Sequence, residues 1–322
     1  MSQSVFLTGA TGFVGRAVLR RLLADKFSVT AAVRNSAKAV AFDPAVAVIP
    51  FESFEGASWD DAFVGIDVVV HSAARVHVMS DTEADPLAAF RKVNVEGTLN
   101  LASRAAVAGV RRFVFVSSIK VNGEGTLPGK PYTADDQAAP SDAYGISKME
   151  AEQGLRELAA RTGMEIVIIR PVLVYGPGVK ANFLNMMRWL DKGIPLPFGA
   201  INNGRSLVAL DNLVDLIVTS ITHPSAANQT FLVSDGEDLS TSELLRRMAQ
   251  ALGKSARLLP VPSWMLSIVA NMLGRRSLSQ RLCGSLQVDI AKTRSILQWT
   301  PPVSVDDALK KAAVDYMEHK RR

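Results

Sequence analysis

The sequence predicts an α/β protein, a doubly wound parallel sheet followed by a smaller mixed α/β lobe toward the C-terminus. Three observations predict it. Short apolar runs alternate with helical stretches up to Pro171, a glycine-rich turn joins the first run to the first helix, and the alternation loosens beyond Pro171.

Val5–Thr8, Ser28–Val33, Val46–Phe51, Asp67–Ser72, Phe113–Ser117 and Glu165–Arg170 are short and apolar, as strands buried on both faces are. Between them, Val14–Ala24, Ala88–Ala108 and Tyr144–Arg161 repeat apolar residues three and four apart, which predicts helices. Repeated βα units of this kind bind ligands beyond the carboxyl ends of their strands. Past Pro171, Ser206–Leu210 and Thr230–Val233 read as strands. Asp211–Thr222, Thr241–Leu252 and Val305–Lys320 read as helices, the second capped by Ser240 or Thr241. The division falls at 1–171 and 172–322, with a return of the chain to the first unit around 205–235 as a variant. No Pro-, Gly- or Ser-rich linker and no internal repeat marks it.

A chain of 322 residues with 48% hydrophobic side chains can bury a sizeable core. Its 36 Lys and Arg against 31 Asp and Glu leave +5, spread along the chain. That suits an anionic ligand such as a nucleotide and lacks the clustering that nucleic-acid binding requires. Cys283 is the single cysteine, so no intrachain disulfide or thiolate cage can form. His71 and His77 are too few for a metal site, and none is expected. The N-terminal apolar run breaks at Gly9 and reads as a strand rather than a signal peptide, so a cytoplasmic protein is expected. Leu258–Leu273 is the most membrane-like stretch, but two prolines at its start and Asn271 within it leave too little helix to span a bilayer. It reads as a buried or capping helix, with a membrane-surface or partner-facing patch as the alternative.

The segment Val5-Phe6-Leu7-Thr8-Gly9-Ala10-Thr11-Gly12-Phe13-Val14-Gly15 is a strand, a turn and a helix start. Gly9 permits the tight turn, Gly12 allows close approach of a pyrophosphate, and Gly15 allows close packing of the helix. The free N–H groups of the helix N-terminus then face the phosphates. At the end of the second strand, Val33 stands where an NAD-selective site carries an acid, and Arg34 follows. A guanidinium pairs well with a 2′-phosphate, so NADP is favoured over NAD.

Tyr144 and Lys148 are four residues apart at a helix start and share one face. A tyrosine acting as a base near neutrality needs a nearby cation, which Lys148 or an oxidised nicotinamide would supply. Ser117 and Ser118 end the preceding strand, where a hydroxyl faces the same cleft and can hold the substrate oxygen.

With these residues in view, the chain resembles the extended short-chain dehydrogenase/reductases of the nucleotide-sugar epimerase/dehydratase family. The resemblance rests on the TGATGFVG turn, His71-Ser72-Ala73-Ala74, Asn94 in VNVEGT, Ser117-Ser118, YGISK, and Arg170-Pro171 before Tyr175-Gly176-Pro177-Gly178. Asn182, Arg205, Asp211 and Leu297-Gln298-Trp299-Thr300-Pro301 extend it into the second lobe. It implies a Rossmann sheet with a substrate lobe, and a cofactor held by Gly9, Thr11, Gly12, Phe13, Val14 and Gly15. Arg34, Ala73, Ala74, Asn94, Ser117, Tyr144, Lys148, Pro171 and Val174 complete the implied cofactor site. Ser118, Tyr144 and Lys148 become the catalytic residues, and Ser118, Asn182 and Arg205 would hold a UDP-sugar. A homodimer is implied as well.

Departures from the family pattern bear on the reaction. Dehydratases of the family follow the catalytic hydroxyl with an acidic pair, and here Ile119 and Lys120 stand there. The turn that follows is Val121-Asn122-Gly123, and the ribose acid is missing. The resulting expectation is an NADP-linked reductase acting on the 4-keto group of a UDP-4-keto-6-deoxy-N-acetylhexosamine for surface polysaccharide (O-antigen). The alternative is a UDP-sugar 4-epimerase that retains NAD. A non-catalytic NADP-binding sensor is a third reading, disfavoured because both Tyr144 and Lys148 are present.

Overall fold

The computed structural model describes residues 3–34, 42–59, 61–76, 85–127, 129–272, 280 and 282–321, so His77 and Leu273 lie outside the described residues. Among the described residues, seven parallel strands form the main sheet: β1 (Ser4–Thr8), β2 (Ser28–Val33), β3 (Ala47–Pro50), β4 (Val68–His71), β5 (Arg112–Val116), β6 (Glu165–Pro171) and, from much later in the chain, β9 (Thr230–Val233). Their order is β3-β2-β1-β4-β5-β6-β9. The winding direction reverses between β1 and β4, and a crevice therefore opens beyond the ends of these two strands.

The strand side chains divide by parity. Val5, Leu7, Val68, Val70, Val167 and Ile169 enter one core, while Phe6, Val69, Ile166 and Ile168 enter the other. Helix α1 (Phe13–Ala24) and helix α6 (Leu210–Thr222) cover the first face. Helix α3 (Gly97–Val107) and helix α4 (Ala143–Thr162) cover the second. Arg112, 1% exposed, locks β5 to α6: its Nη1 donates to the carbonyls of Ser220, Ile221 and His223, the free acceptors at that helix's end.

The expected helix Ala88–Ala108 is interrupted. A short α2 (Pro86–Arg91) passes through a π-turn at Lys92–Glu96 before α3 begins. The wide turn rotates Asn94 inward, where its amide bonds the backbone of Arg75 on both sides and Ser147 Oγ. Among the described residues, the second lobe is built on a three-stranded sheet, β10 (Asp238–Leu239), β8 (Arg205–Ala209) and β7 (Leu173–Tyr175), with β7 parallel and β10 antiparallel to β8. Helix α5 (Ala181–Asp191), helix α7 (Thr241–Ala251) and the C-terminal helix Val305–Arg321 enclose its core. Ser240, not Thr241, caps α7, its hydroxyl accepting from Glu243 N at 3.0 Å.

Over its described residues, 258–272, the stretch expected as a buried or capping helix is not buried. Leu258 and Leu259 form a strap against Leu196–Gly199, and α8 (Ser263–Met272) then carries an apolar face exposed to solvent. The lobe core is already filled from α5, α7 and the C-terminal helix. No helix among the described residues is long and apolar enough to cross a membrane.

Candidate active site

The crevice is lined at its floor by the first turn. Gly9 holds φ +75°, and a Cβ there would lie 2.8 Å from Ala73 N and Ser72 Oγ. A Cβ on Gly15 would fall 2.0 Å from Gly9 O, so this glycine lets α1 close directly onto the turn. Gly12 donates to Gly9 O at 2.8 Å and then starts the helix without a side-chain cap. The first turn of α1 also carries no acid. Its amides are left for an anion, and the residues present fit the diphosphate of a dinucleotide. Thr11, Phe13, Val14, Ala73 and Ala74 are all partly exposed around this turn. Arg34 is exposed at the end of β2, and Val33 beside it is buried.

Helix α4 begins under an Asp142 cap, whose Oδ1 accepts from Gly145 N at 2.7 Å. The cap fixes the first turn, and Tyr144 and Lys148 follow on one face. Tyr144 lies beside Ser118, whose hydroxyl favours its ionised form, and packs edge-on against Phe90 at 5.9 Å. Burial pushes the Tyr144 phenol up to about 12, the Asp142 carboxylate adds to this, and the Ser118 hydroxyl opposes it. The free protein therefore holds Tyr144 protonated. Lys148 is 1% exposed, with Nζ 4.1 Å from the Phe115 ring centre. Burial lowers its ammonium to about 7, while Glu152, one turn further on, favours the charged form.

Glu152 is the residue that the sequence reading missed. It is fully buried and forms a two-pronged pair with Arg170, Nε to Oε1 at 2.9 Å and Nη2 to Oε2 at 2.6 Å. Arg170 Nη1 also donates to Asn122 Oδ1 at 3.0 Å, so β6, α4 and the turn after Ser118 share one network. The four-residue spacing Tyr144, Lys148, Glu152 was the available signal.

The other expected residues separate by position. Ser118 and Tyr144 come together, with Lys148 one turn below. Ser117 is buried, and its hydroxyl donates to Glu152 Oε1 at 2.6 Å, so its side chain faces the network instead of the cofactor crevice. Asn94, 2% exposed, is likewise spent on the Arg75 backbone and Ser147. Pro171 is buried at the end of β6, and Val174 is partly exposed in β7. Asn182 is exposed in the first turn of α5. Arg205 opens β8, with Nη1 donating to Gly284 O at 3.0 Å. Asp211 lies outside the crevice and pairs with Lys311 at 2.5 Å. Lys120, where dehydratases carry an acid, is paired with Asp142 and with Glu124.

His71 sits beneath the turn with its ring nitrogens 2.7 Å from Thr8 Oγ1 and 3.0 Å from Thr98 Oγ1. Burial, with the nearby Lys148 charge, lowers its pKa to about 3, so it stays neutral.

Residues 5–234 match the model of the NAD dependent epimerase/dehydratase family. The chain belongs to this family. It is an NAD-dependent short-chain dehydrogenase/reductase of the nucleotide-sugar epimerase/dehydratase class. It is 49% identical to a UDP-glucose 4-epimerase of Vibrio cholerae, over 100% of this chain and 98% of that protein. It is 28% identical to the N-acetyl-alpha-D-glucosaminyl-diphospho-ditrans,octacis-undecaprenol 4-epimerase of Escherichia coli O157:H7, over 92% and 90%. The same fold occurs in the UDP-glucose 4-epimerase of Thermotoga maritima solved with UDP-glucose, with TM-score 0.79, 22% identity and coverage of 99% and 100%. It also occurs in the UDP-glucuronic acid 4-epimerase of Bacillus cereus solved with NAD, with TM-score 0.78, 19% identity and coverage of 98% and 99%.

Proposed function

We propose that this family member is a UDP-hexose 4-epimerase that keeps one NAD bound through each turnover. The observation that carries the reading is the full-length 49% identity to the Vibrio cholerae enzyme, in a chain that retains Ser118, Tyr144 and Lys148 in one cleft. This moves the balance away from the 4-keto reductase expected from the sequence. Arg34 is the observation that still favours the reductase, because no acid occupies the ribose position.

A dinucleotide held by its diphosphate at the Gly9–Gly15 turn would supply the capacity to take a hydride from C4 of the sugar and return it. The protein's own part is proton handling. Tyr144 takes the proton of the 4-hydroxyl and gives it back, and Ser118 holds that oxygen in line. A phenol pushed up to about 12 is a poor base by itself, so Tyr144 acts only once positive charge is brought beside it. Lys148, kept in place by the Phe115 ring and Glu152, supplies part of that charge. Asn182 and Arg205 are the proposed holders of the substrate diphosphate, Arg205 by a forked contact.

The test is direct. Purified protein is heat-denatured, the released nucleotide is identified by chromatography, and UDP-glucose is offered without added cofactor. Stoichiometric NAD and conversion to UDP-galactose are expected. An empty protein that instead consumes NADPH with a UDP-4-keto sugar overturns the epimerase reading and restores the reductase.

A further inference from the structure

The feature that this function leaves unused is α8. Trp264, Met265, Ile268 and Met272 are all exposed, Trp264 by 62% and Met272 by 83%. At helical spacing they fall within an arc of about 100°. Leu266 and Ser267 are partly buried on the other side, and Leu259, in the strap leading to the helix, is exposed beside them. The helix itself carries no charge in its first or last turn.

Its surroundings in the sequence have one sign. From Met248 to Val288 there is no acidic residue, while Lys254, Arg257, Arg275, Arg276 and Arg281 are basic. Among these, Lys254 and Arg257 are described, and both are exposed. A chain with 31 acidic residues leaves this stretch free of them. An apolar stripe with an exposed tryptophan, in a stretch of sequence whose only charges are positive, fits the boundary between acyl chains and anionic headgroups.

We propose that α8 docks this protein on anionic lipid surfaces, lying in the plane of the interface with Trp264, Met265, Ile268 and Met272 inserted. The strap ties the helix to Leu196 and Gly199 through Leu196 N to Arg257 O at 2.9 Å and Gly199 N to Leu259 O at 2.8 Å. Docking therefore holds the second lobe against the headgroups. The proposal is independent of the choice between epimerase and reductase.

The test uses the full chain and sedimentation with phosphatidylcholine vesicles, made with or without phosphatidylglycerol. Binding at least about tenfold tighter to the anionic vesicles is expected, lost in high salt, with a blue shift of tryptophan emission. The double variant Trp264→Ser/Ile268→Ser should lose binding by about tenfold and keep its circular dichroism and its turnover of a water-soluble sugar nucleotide. Equal binding by the variant, or no preference for anionic lipid, overturns the proposal. So does a wild-type dimer in light scattering that the variant abolishes without vesicle binding in either, which would make α8 a contact between copies.

Discussion

Replacing Glu152 by Gln should destabilise the protein far more than the loss of one charge at a surface would. The substitution preserves shape, but it leaves the Arg170 guanidinium, 4% exposed, without its carboxylate. Arg170 then keeps the Asn122 contact at 3.0 Å and at most one bond to the glutamine oxygen. Removing one partner of a buried pair costs about 3–5 kcal/mol, and the glutamine oxygen can still accept one bond, so about 3 kcal/mol is expected. For a chain of this size that corresponds to a fall in Tm of roughly 4 °C. The assay is urea unfolding, read as a lower midpoint at unchanged slope. The double variant Glu152→Gln/Arg170→Met removes the stranded charge and should recover most of the loss. A single-variant loss below about 1 kcal/mol, or a double variant as unstable as the sum of the singles, would refute the reasoning. Because Glu152 favours the Lys148 ammonium, Lys148 should also titrate at lower pH in the single variant.

Tyr144→Phe removes the proton carrier while keeping the ring against Phe90, so turnover should fall by roughly 10²–10⁴ with little change in unfolding midpoint; retained turnover would show that another group moves the proton. Gly15→Ala places a methyl 2.0 Å from Gly9 O, so the purified variant should retain little dinucleotide, measured by absorbance after denaturation. The His71 pKa is lowered in the fold to about 3 from 6.5, so the unfolded chain binds the extra proton between these values. Stability is then full above pH 6.5 and declines as pH falls through that window, by about 2 kcal/mol at pH 5. Urea midpoints of the wild type and His71→Phe measured from pH 7 to 5 should converge toward acid; parallel curves would assign the acid loss to other groups.

The site was legible in the sequence where its chemistry is local. The turn from Gly9 to Gly15 is dictated within seven residues, and Tyr144 and Lys148 share a face because a helix turns every 3.6 residues. Ser117 shows the limit. Its strand-end place suggested a cleft hydroxyl, but Glu152, 35 residues later, claims it, and no local rule encodes that partner. Asn94 was recognised by its motif, yet the spacing predicted an unbroken helix where a π-turn aims it at the Arg75 backbone and Ser147.

By itself the sequence determined that the first half is a parallel sheet, because its strands are apolar on both faces and only helices on both sides can cover them. It also determined the phosphate turn and the Tyr–Lys pair, whose spacings are short-range geometry. Tertiary structure decided the rest. It placed β9 beside β6 as the seventh strand, enclosed the Glu152–Arg170 pair under Lys148, and left the apolar face of α8 outside. An apolar stripe reads the same whether a core covers it or not. Coverage depends on what the neighbouring elements have already filled, and that is a property of the assembled fold.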